Sequence, residues 1–109
     1  MATANRIDIH HHFFTPEYRN AFPDTAKRPE VKGWSLESSF EEMDKNGIGH
    51  AMLSLSPPGI HKGGGGARDA VKMLARTVND HAATLRQQHP SRYGHFASMP
   101  MPSVDDTLA

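Results

Sequence analysis

Three short segments rich in β-branched and aromatic residues alternate with helical segments along this chain of 109 residues. The strand-like segments span Arg6–Phe14, Gly49–Ser56 and Tyr93–Met99. Because helices separate them, the order predicts parallel strands joined by right-handed crossovers. The fold class is therefore α/β, and both a doubly wound sheet and a (β/α)8 barrel begin in this way.

The segment after the first strand contains signals for a short helix and then for a loop. Thr15 as N-cap and Pro16 at the first helical position predict a short helical turn that continues to about Phe22. Further prolines follow closely, and they predict a loop over residues 23–34.

The later helices have clearer signals. Ser35 predicts the N-cap of a helix that ends at Gly47 in the left-handed conformation. Apolar residues every three or four positions predict an amphipathic helix over residues 67–88, and the segment 103–109 resembles the first turn of another helix.

The length favours the barrel. A barrel of about 250 residues uses roughly 31 residues in each βα unit, so this chain corresponds to about 3.5 units. We therefore predict that residues 1–109 are the N-terminal part of a single (β/α)8 TIM-barrel domain, truncated after its first three to four βα units.

Composition excludes several function classes. The 12 Lys and Arg residues balance 12 Asp and Glu residues, so the chain lacks the basic surface of a nucleic-acid or membrane-surface binder. No apolar stretch is long enough for a membrane span, and the N-terminus does not resemble a secretory signal, which predicts a cytoplasmic protein. With no cysteine, any metal ligands must be His, Asp or Glu.

The most informative motif is Asp8-Ile9-His10-His11-His12 at the end of the first strand. Strand alternation predicts one face with Ile7, Ile9, His11 and Phe13 and another with Asp8, His10, His12 and Phe14. His10 and His12 could then bind one ion such as Zn²⁺, at the strand end where barrels place their active sites. Asp8 could orient these ligands from behind or form hydrogen bonds deeper in the barrel. Ordinary surface histidines remain the alternative interpretation.

A glycine-rich loop over residues 57–66 precedes the long helix. It lacks the Gly-Lys-Ser/Thr ending of a nucleotide-binding P-loop, so we do not expect nucleotide binding. The loop could instead cover the barrel mouth, where His61 or Lys62 could contact substrate; solvated loop residues are the alternative.

Several motifs together resemble one family, the amidohydrolase-related metal-dependent enzymes of the aminocarboxymuconate-semialdehyde decarboxylase type. Similar stretches cover nearly the whole chain in family-like order: residues 7–13, 16–18, 34–36, 43–48, 53–59, 75–80 and 89–100. The resemblance implies a (β/α)8 barrel that holds one divalent metal, usually zinc, with His10 and His12 as the ligands from its first strand.

The implied activity is non-oxidative decarboxylation of an aromatic or muconate-type carboxylic acid. Relatives of the same kind hydrolyse lactones or related bonds, and the residues of this chain do not choose between the two activities. The family's other metal ligands and its catalytic residues are expected beyond Ala109, so the 109-residue piece alone is expected to be inactive. A non-catalytic α/β fragment remains a further alternative, and a homo-oligomer is possible.

Overall fold

The computed structural model describes residues 5–55, 60, 68–100 and 104–108. These residues form three strands and six helices in the order β1 (Arg6–His12), α1 (Pro16–Ala21), α2 (Pro23–Ala26), α3 (Pro29–Lys32), α4 (Leu36–Lys45), β2 (Ile48–Ser54), α5 (Arg68–Gln88), β3 (Tyr93–His95) and α6 (Val104–Leu108). No helix among the described residues has the length and apolar character needed to cross a membrane.

The strands form one parallel sheet in the order β1-β2-β3, as predicted. Helices α4 and α5 pack against it and connect the strands, which makes the described chain a consecutive series of βα units. The sheet is open, with β1 and β3 at its edges. This arrangement is the partial α/β barrel that the alternating sequence predicts.

Most helix boundaries agree with the sequence signals. The Thr15 hydroxyl accepts the backbone N–H of Tyr18 at the start of α1. Ser35 and Ser38 form a reciprocal capping box at the start of α4. Gly47 follows α4 with φ of 68°, the left-handed conformation that glycine adopts without steric cost.

The predicted loop over residues 23–34 was wrong. This segment contains the two short helices α2 and α3, and each begins with a proline at its first position. Proline tolerates that position because the N–H it lacks would have had no partner inside the helix, and its fixed φ already suits a helix. The prolines therefore begin helices here.

Strand β3 is shorter than predicted, because it ends at His95 and the chain continues without regular structure to residue 100. Asn79 of α5 holds this continuation in place. Its side-chain amide donates to the Ser98 carbonyl oxygen at 2.9 Å, and its oxygen accepts the Ser98 N–H at 2.7 Å. The two bonds replace the ladder bonds that a longer strand would make.

The hydrophobic core lies between one face of the sheet and the helices. Ala51 and Leu53 of β2 point into it and are fully buried. Three buried residues on one face of α5 belong to the same core: Val78, Ala82 and Leu85. Val71 and Ala75, nearer the start of α5, pack with Ile60 in a second apolar cluster.

No described element covers the opposite face of the sheet. The exposure of this face shows that the predicted alternation in β1 was wrong. Ile7 and Ile9, expected on an apolar face, are 68% and 70% exposed. The pairing of β1 with β2 is irregular between Asp8 and His11, because two residues of β1 lie opposite the single residue Met52. Such a bulge shifts the side-chain parity along a strand.

As a result, Asp8 and His11 lie on the same face, contrary to the strict alternation. Asp8 is paired with Ala51 and His11 with Leu53, and both of these partners are buried against the helices. Their own side chains are in contact, with 3.1 Å between Asp8 Oδ2 and His11 Nδ1.

Candidate metal centre

His10 and His12 lie together at the C-terminal end of β1. Their ring centroids are 4.8 Å apart, and the two rings are nearly perpendicular. Two imidazoles that bind one ion through nitrogens at about 2.0–2.1 Å bring their centroids to roughly 4.5–5.2 Å of each other. The pair therefore has the spacing of two ligands of one ion.

His12 has a hydrogen-bonding partner that leaves one ring nitrogen available. Its Nδ1 lies 3.3 Å from the carbonyl oxygen of Ser54, on the neighbouring strand β2. When Nδ1–H donates to this carbonyl, the free lone pair is on Nε2. Backbone carbonyls commonly select the tautomer of metal-binding histidines in this way.

The donor set around the pair is incomplete in the part of the chain that the structure describes. Within that part, no group of three His, Asp or Glu side chains is arranged to hold a metal ion. Metal binding by His10 and His12 stays a prediction, which would need further ligands from outside the described residues.

Asp8 does not share the face of His10 and His12. One of its carboxylate oxygens, Oδ1, accepts the backbone N–H of His10 at 2.9 Å, while Oδ2 contacts the ring of His11. The bond from the His10 N–H is the main cause that holds the pKa of Asp8 below its ordinary value. Asp8 thus contacts the backbone of His10, whereas an orienting contact to the His10 or His12 ring stays a prediction.

His11 points towards the helices. Its Nε2 lies 2.8 Å from Ser39 Oγ on α4, and this hydroxyl lies 2.6 Å from the Tyr93 hydroxyl on β3. Burial raises the pKa of Tyr93, while its bond with Ser39 acts in the opposite direction. Ser39 and Tyr93 were not predicted from the sequence, because 28 residues separate His11 from Ser39 and 54 separate Ser39 from Tyr93.

Asp8, His11 and Ser39 have the residue types of a hydrolytic triad, but their environment does not suit one. A nucleophilic hydroxyl must reach substrate. Ser39 is only 3% exposed, and its hydroxyl is also bonded to Tyr93. We therefore assign these three side chains to the interior hydrogen bonding of the fold.

A cavity of about 430 Å³ adjoins His12, and the largely buried side chains of His11 and Ser39 also form part of its wall. Trp34 forms part of its wall, and the Trp34 ring also packs edge-on against Phe14. The indole nitrogen of Trp34 is buried and has no hydrogen-bond partner among the described residues. Glu30 and Glu42 are exposed at the rim of the cavity.

The predicted substrate contacts His61 and Lys62 lie outside the described residues, as does most of the glycine-rich loop.

Comparison with characterised proteins identifies related decarboxylases. The chain is 41% identical over 103 residues to the decarboxylase yanB of Aspergillus niger, a match that covers 88% of this chain and 27% of that protein. It is 35% identical over 109 residues to 6-methylsalicylic acid decarboxylase of Penicillium expansum, covering 95% of this chain and 32% of that protein. The chain therefore spans about a third or less of the length of these relatives. No protein-family model matches it.

Solved structures give the same fold. An amidohydrolase II structure is 27% identical, with a TM-score of 0.82 over 95% of this chain and 34% of that chain. Dihydroxybenzoic acid decarboxylase from Polaromonas sp. JS666, which contains manganese and an inhibitor, is 23% identical, with a TM-score of 0.76 over 94% of this chain and 32% of that chain. These likenesses define the class of the fold as part of an amidohydrolase-type (β/α) barrel. The chain is therefore similar, in sequence and in fold, to about a third of the length of named decarboxylases and amidohydrolase-type proteins.

Proposed function

We propose that residues 1–109 form the N-terminal, metal-binding part of a divalent-metal-dependent decarboxylase that acts on an aromatic carboxylic acid. The observation that carries this proposal is the His10–His12 pair at the end of β1, with its 4.8 Å separation between ring centroids. Its position also supports the proposal, because barrel enzymes place their active sites at the C-terminal ends of their strands.

His10 and His12 would hold the metal, and the Ser54 carbonyl would keep the His12 ring in the tautomer that offers Nε2. Imidazole ligands suit zinc, whereas the related dihydroxybenzoic acid decarboxylase contains manganese, so both ions belong in the test. When bound, the metal would act as a Lewis acid on the oxygens of the substrate. The remaining ligands and the catalytic residues would come from outside this chain.

The cavity beside His12 would admit the aromatic ring of such a substrate. Its volume of about 430 Å³ falls within the range of small-molecule sites. Trp34 lines this cavity and would place its ring beside the aromatic ring of the substrate. Relatives named for 6-methylsalicylic acid and dihydroxybenzoic acid act on substrates of this class.

The alternative activity, the location and the oligomeric state of the protein are also proposals. Hydrolysis of a lactone or related bond is the alternative activity, because the same metal site would serve it. We also propose a cytoplasmic location and a homo-oligomeric state.

Metal binding by the 109-residue chain is the first test. Titration with Mn²⁺ and Zn²⁺, followed by calorimetry and by the fluorescence of Trp34, the single tryptophan, should detect one site. His10→Ala and His12→Ala should each weaken binding at least about tenfold, since removal of even an indirect partner of a metal ligand commonly costs 10–100-fold.

His50→Ala is the matched control. His50 is also on the uncovered face of the sheet, but it lies near the start of β2, away from the His10–His12 pair. It should therefore bind metal as the unchanged chain does. Equal affinity in all four proteins would contradict the proposed metal site.

A chimaera tests the activity. Residues 1–109 would replace the aligned segment of 6-methylsalicylic acid decarboxylase from Penicillium expansum, which supplies the rest of the barrel. The folded chimaera should release carbon dioxide from 6-methylsalicylic acid, and the His10→Ala/His12→Ala chimaera should not. Trp34→Ala should raise KM severalfold, because the substrate would lose its contact with the indole ring. A folded, metal-loaded chimaera without activity would refute the proposed reaction.

A further inference from the structure

A continuous set of hydrogen bonds runs from β3 through α4 to the backbone of His10. We refer to its four side chains, Tyr93, Ser39, His11 and Asp8, as the relay. The successive distances are 2.6 Å from Tyr93 Oη to Ser39 Oγ, 2.8 Å from Ser39 Oγ to His11 Nε2, and 3.1 Å from His11 Nδ1 to Asp8 Oδ2. Asp8 Oδ1 then accepts the His10 N–H at 2.9 Å.

The donor in each hydrogen bond of the relay follows from the ionisation of Asp8, the last residue of the relay. An ionised Asp8 can only accept, so His11 must donate from Nδ1. The neutral His11 ring then accepts at Nε2 from the Ser39 hydroxyl, and Ser39 Oγ accepts from the hydroxyl of Tyr93. With Asp8 ionised and the His11 ring neutral, each proton of the relay then has one place, and the His11 proton is on Nδ1.

Burial makes the Tyr93 and Ser39 end of the relay difficult to replace with water. Tyr93 is 1% exposed and Ser39 is 3% exposed. The Tyr93 ring is also held by Phe40, which stacks on it at a centroid distance of 5.2 Å. If one member is removed, a neighbouring polar group in the core loses its partner.

The relay joins the two residues that flank the bulge in β1. The pairing with β2 is irregular between Asp8 and His11, and these are the two residues that the relay joins. His10 lies inside the bulge, and its N–H is bonded to Asp8 instead of being left without a partner. Bulges redirect side chains, and next to active sites they commonly aim a functional group.

We propose that Asp8, His11, Ser39 and Tyr93 are positioning residues, which hold the β1 bulge and thereby aim His10 and His12 at a shared metal ion. This inference rests on the proposed metal site. It assigns a function to the middle histidine of the His10-His11-His12 run, which does not share the face of its neighbours.

Ser39→Ala is the main test, because it removes the central hydroxyl of the relay. In the 109-residue chain we expect the affinity for Mn²⁺ to fall about tenfold, as for other groups that orient metal ligands. The backbone amide of His10 should exchange its hydrogen about tenfold faster, since opening of the bulge breaks its bond to Asp8. Nitrogen NMR of His11 should also detect loss of the single Nδ1–H tautomer.

Two variants separate positioning from general stability. Ser35→Ala removes the N-cap of α4 without touching the relay, so it should lower the unfolding midpoint and leave both Mn²⁺ affinity and His10 exchange unchanged. Ser39→Ala/Tyr93→Phe removes the orphaned Tyr93 hydroxyl as well. It should regain stability relative to Ser39→Ala but keep the weakened metal binding.

Wild-type affinity and wild-type His10 exchange in folded Ser39→Ala would overturn the proposal. If Ser39→Ala does not fold, Asp8→Asn serves instead, because an amide in this position cannot accept from both His10 and His11 through two oxygens. The same two measurements must then change. If the unchanged chain binds neither Mn²⁺ nor Zn²⁺, the proposed function fails; the exchange of His10 and the tautomer of His11 still decide whether the relay holds the bulge.

Discussion

Replacement of Asn79 by alanine should detach the segment that follows β3 from α5. The Asn79 side chain forms two hydrogen bonds with the backbone of Ser98, at 2.9 and 2.7 Å. Each such bond contributes about 0.5–1.5 kcal/mol net, so the loss of both predicts a destabilisation of about 1–3 kcal/mol. Ser98 is only partly buried, so water can partly replace these bonds, and we expect a value in the lower half of this range.

Urea unfolding of the 109-residue chain, followed by circular dichroism, measures this change as a shift of the midpoint with an unchanged slope. Asn79→Asp keeps the oxygen that accepts from Ser98 but loses the donor, so it should be destabilised yet retain the slow exchange of the Ser98 amide. Thr77→Ala is the control on the same helix. It removes a hydroxyl that bonds only to the preceding turn of α5, at Met73, and should change stability by less than about 0.5 kcal/mol.

The reasoning would be refuted if Asn79→Ala and Thr77→Ala had the same unfolding midpoint. It would also be refuted if the Ser98 amide exchanged at the same rate in Asn79→Ala and the unchanged chain, because that amide donates to Asn79 in the folded protein.

Two other predictions concern stability. Burial, with a smaller contribution from Arg86, lowers the pKa of His95, so the unfolded chain takes up this proton first as the pH falls through about 6.5. The contribution of His95 to stability is therefore complete above about pH 6.5 and lost below it, and His95→Gln should lose less stability than the unchanged chain between about pH 7.5 and 5.5; equal losses in urea unfolding would contradict this. Gly47→Ala should cost about 1–2 kcal/mol, because φ of 68° strains a residue with a Cβ atom although nothing lies within 4 Å of that atom. Gly47→Asn should cost less, and identical midpoints for alanine and glycine would disprove the argument.

Local rules explain which elements were predictable. The caps at Thr15 and Ser35 and the turn at Gly47 depend on residues no more than four positions apart, and the structure has all three. The same rules failed over residues 23–34, because proline has two opposite effects on helices. In the interior of a helix it breaks the helix, whereas at the first position it favours helix formation, and Pro23 and Pro29 are at the first positions of α2 and α3.

The sequence by itself determined the parallel α/β order, the length of the long helix and the closeness of His10 and His12, because a spacing of two residues brings side chains together along a strand. Only the tertiary structure decided that Asp8 and His11 share a face. The bulge that brings them together arises from the pairing of β1 with β2, and no pattern within β1 records it. The bonds from His11 to Ser39 and Tyr93 likewise join distant residues, which become neighbours only when α4 and β3 pack against β1 and β2.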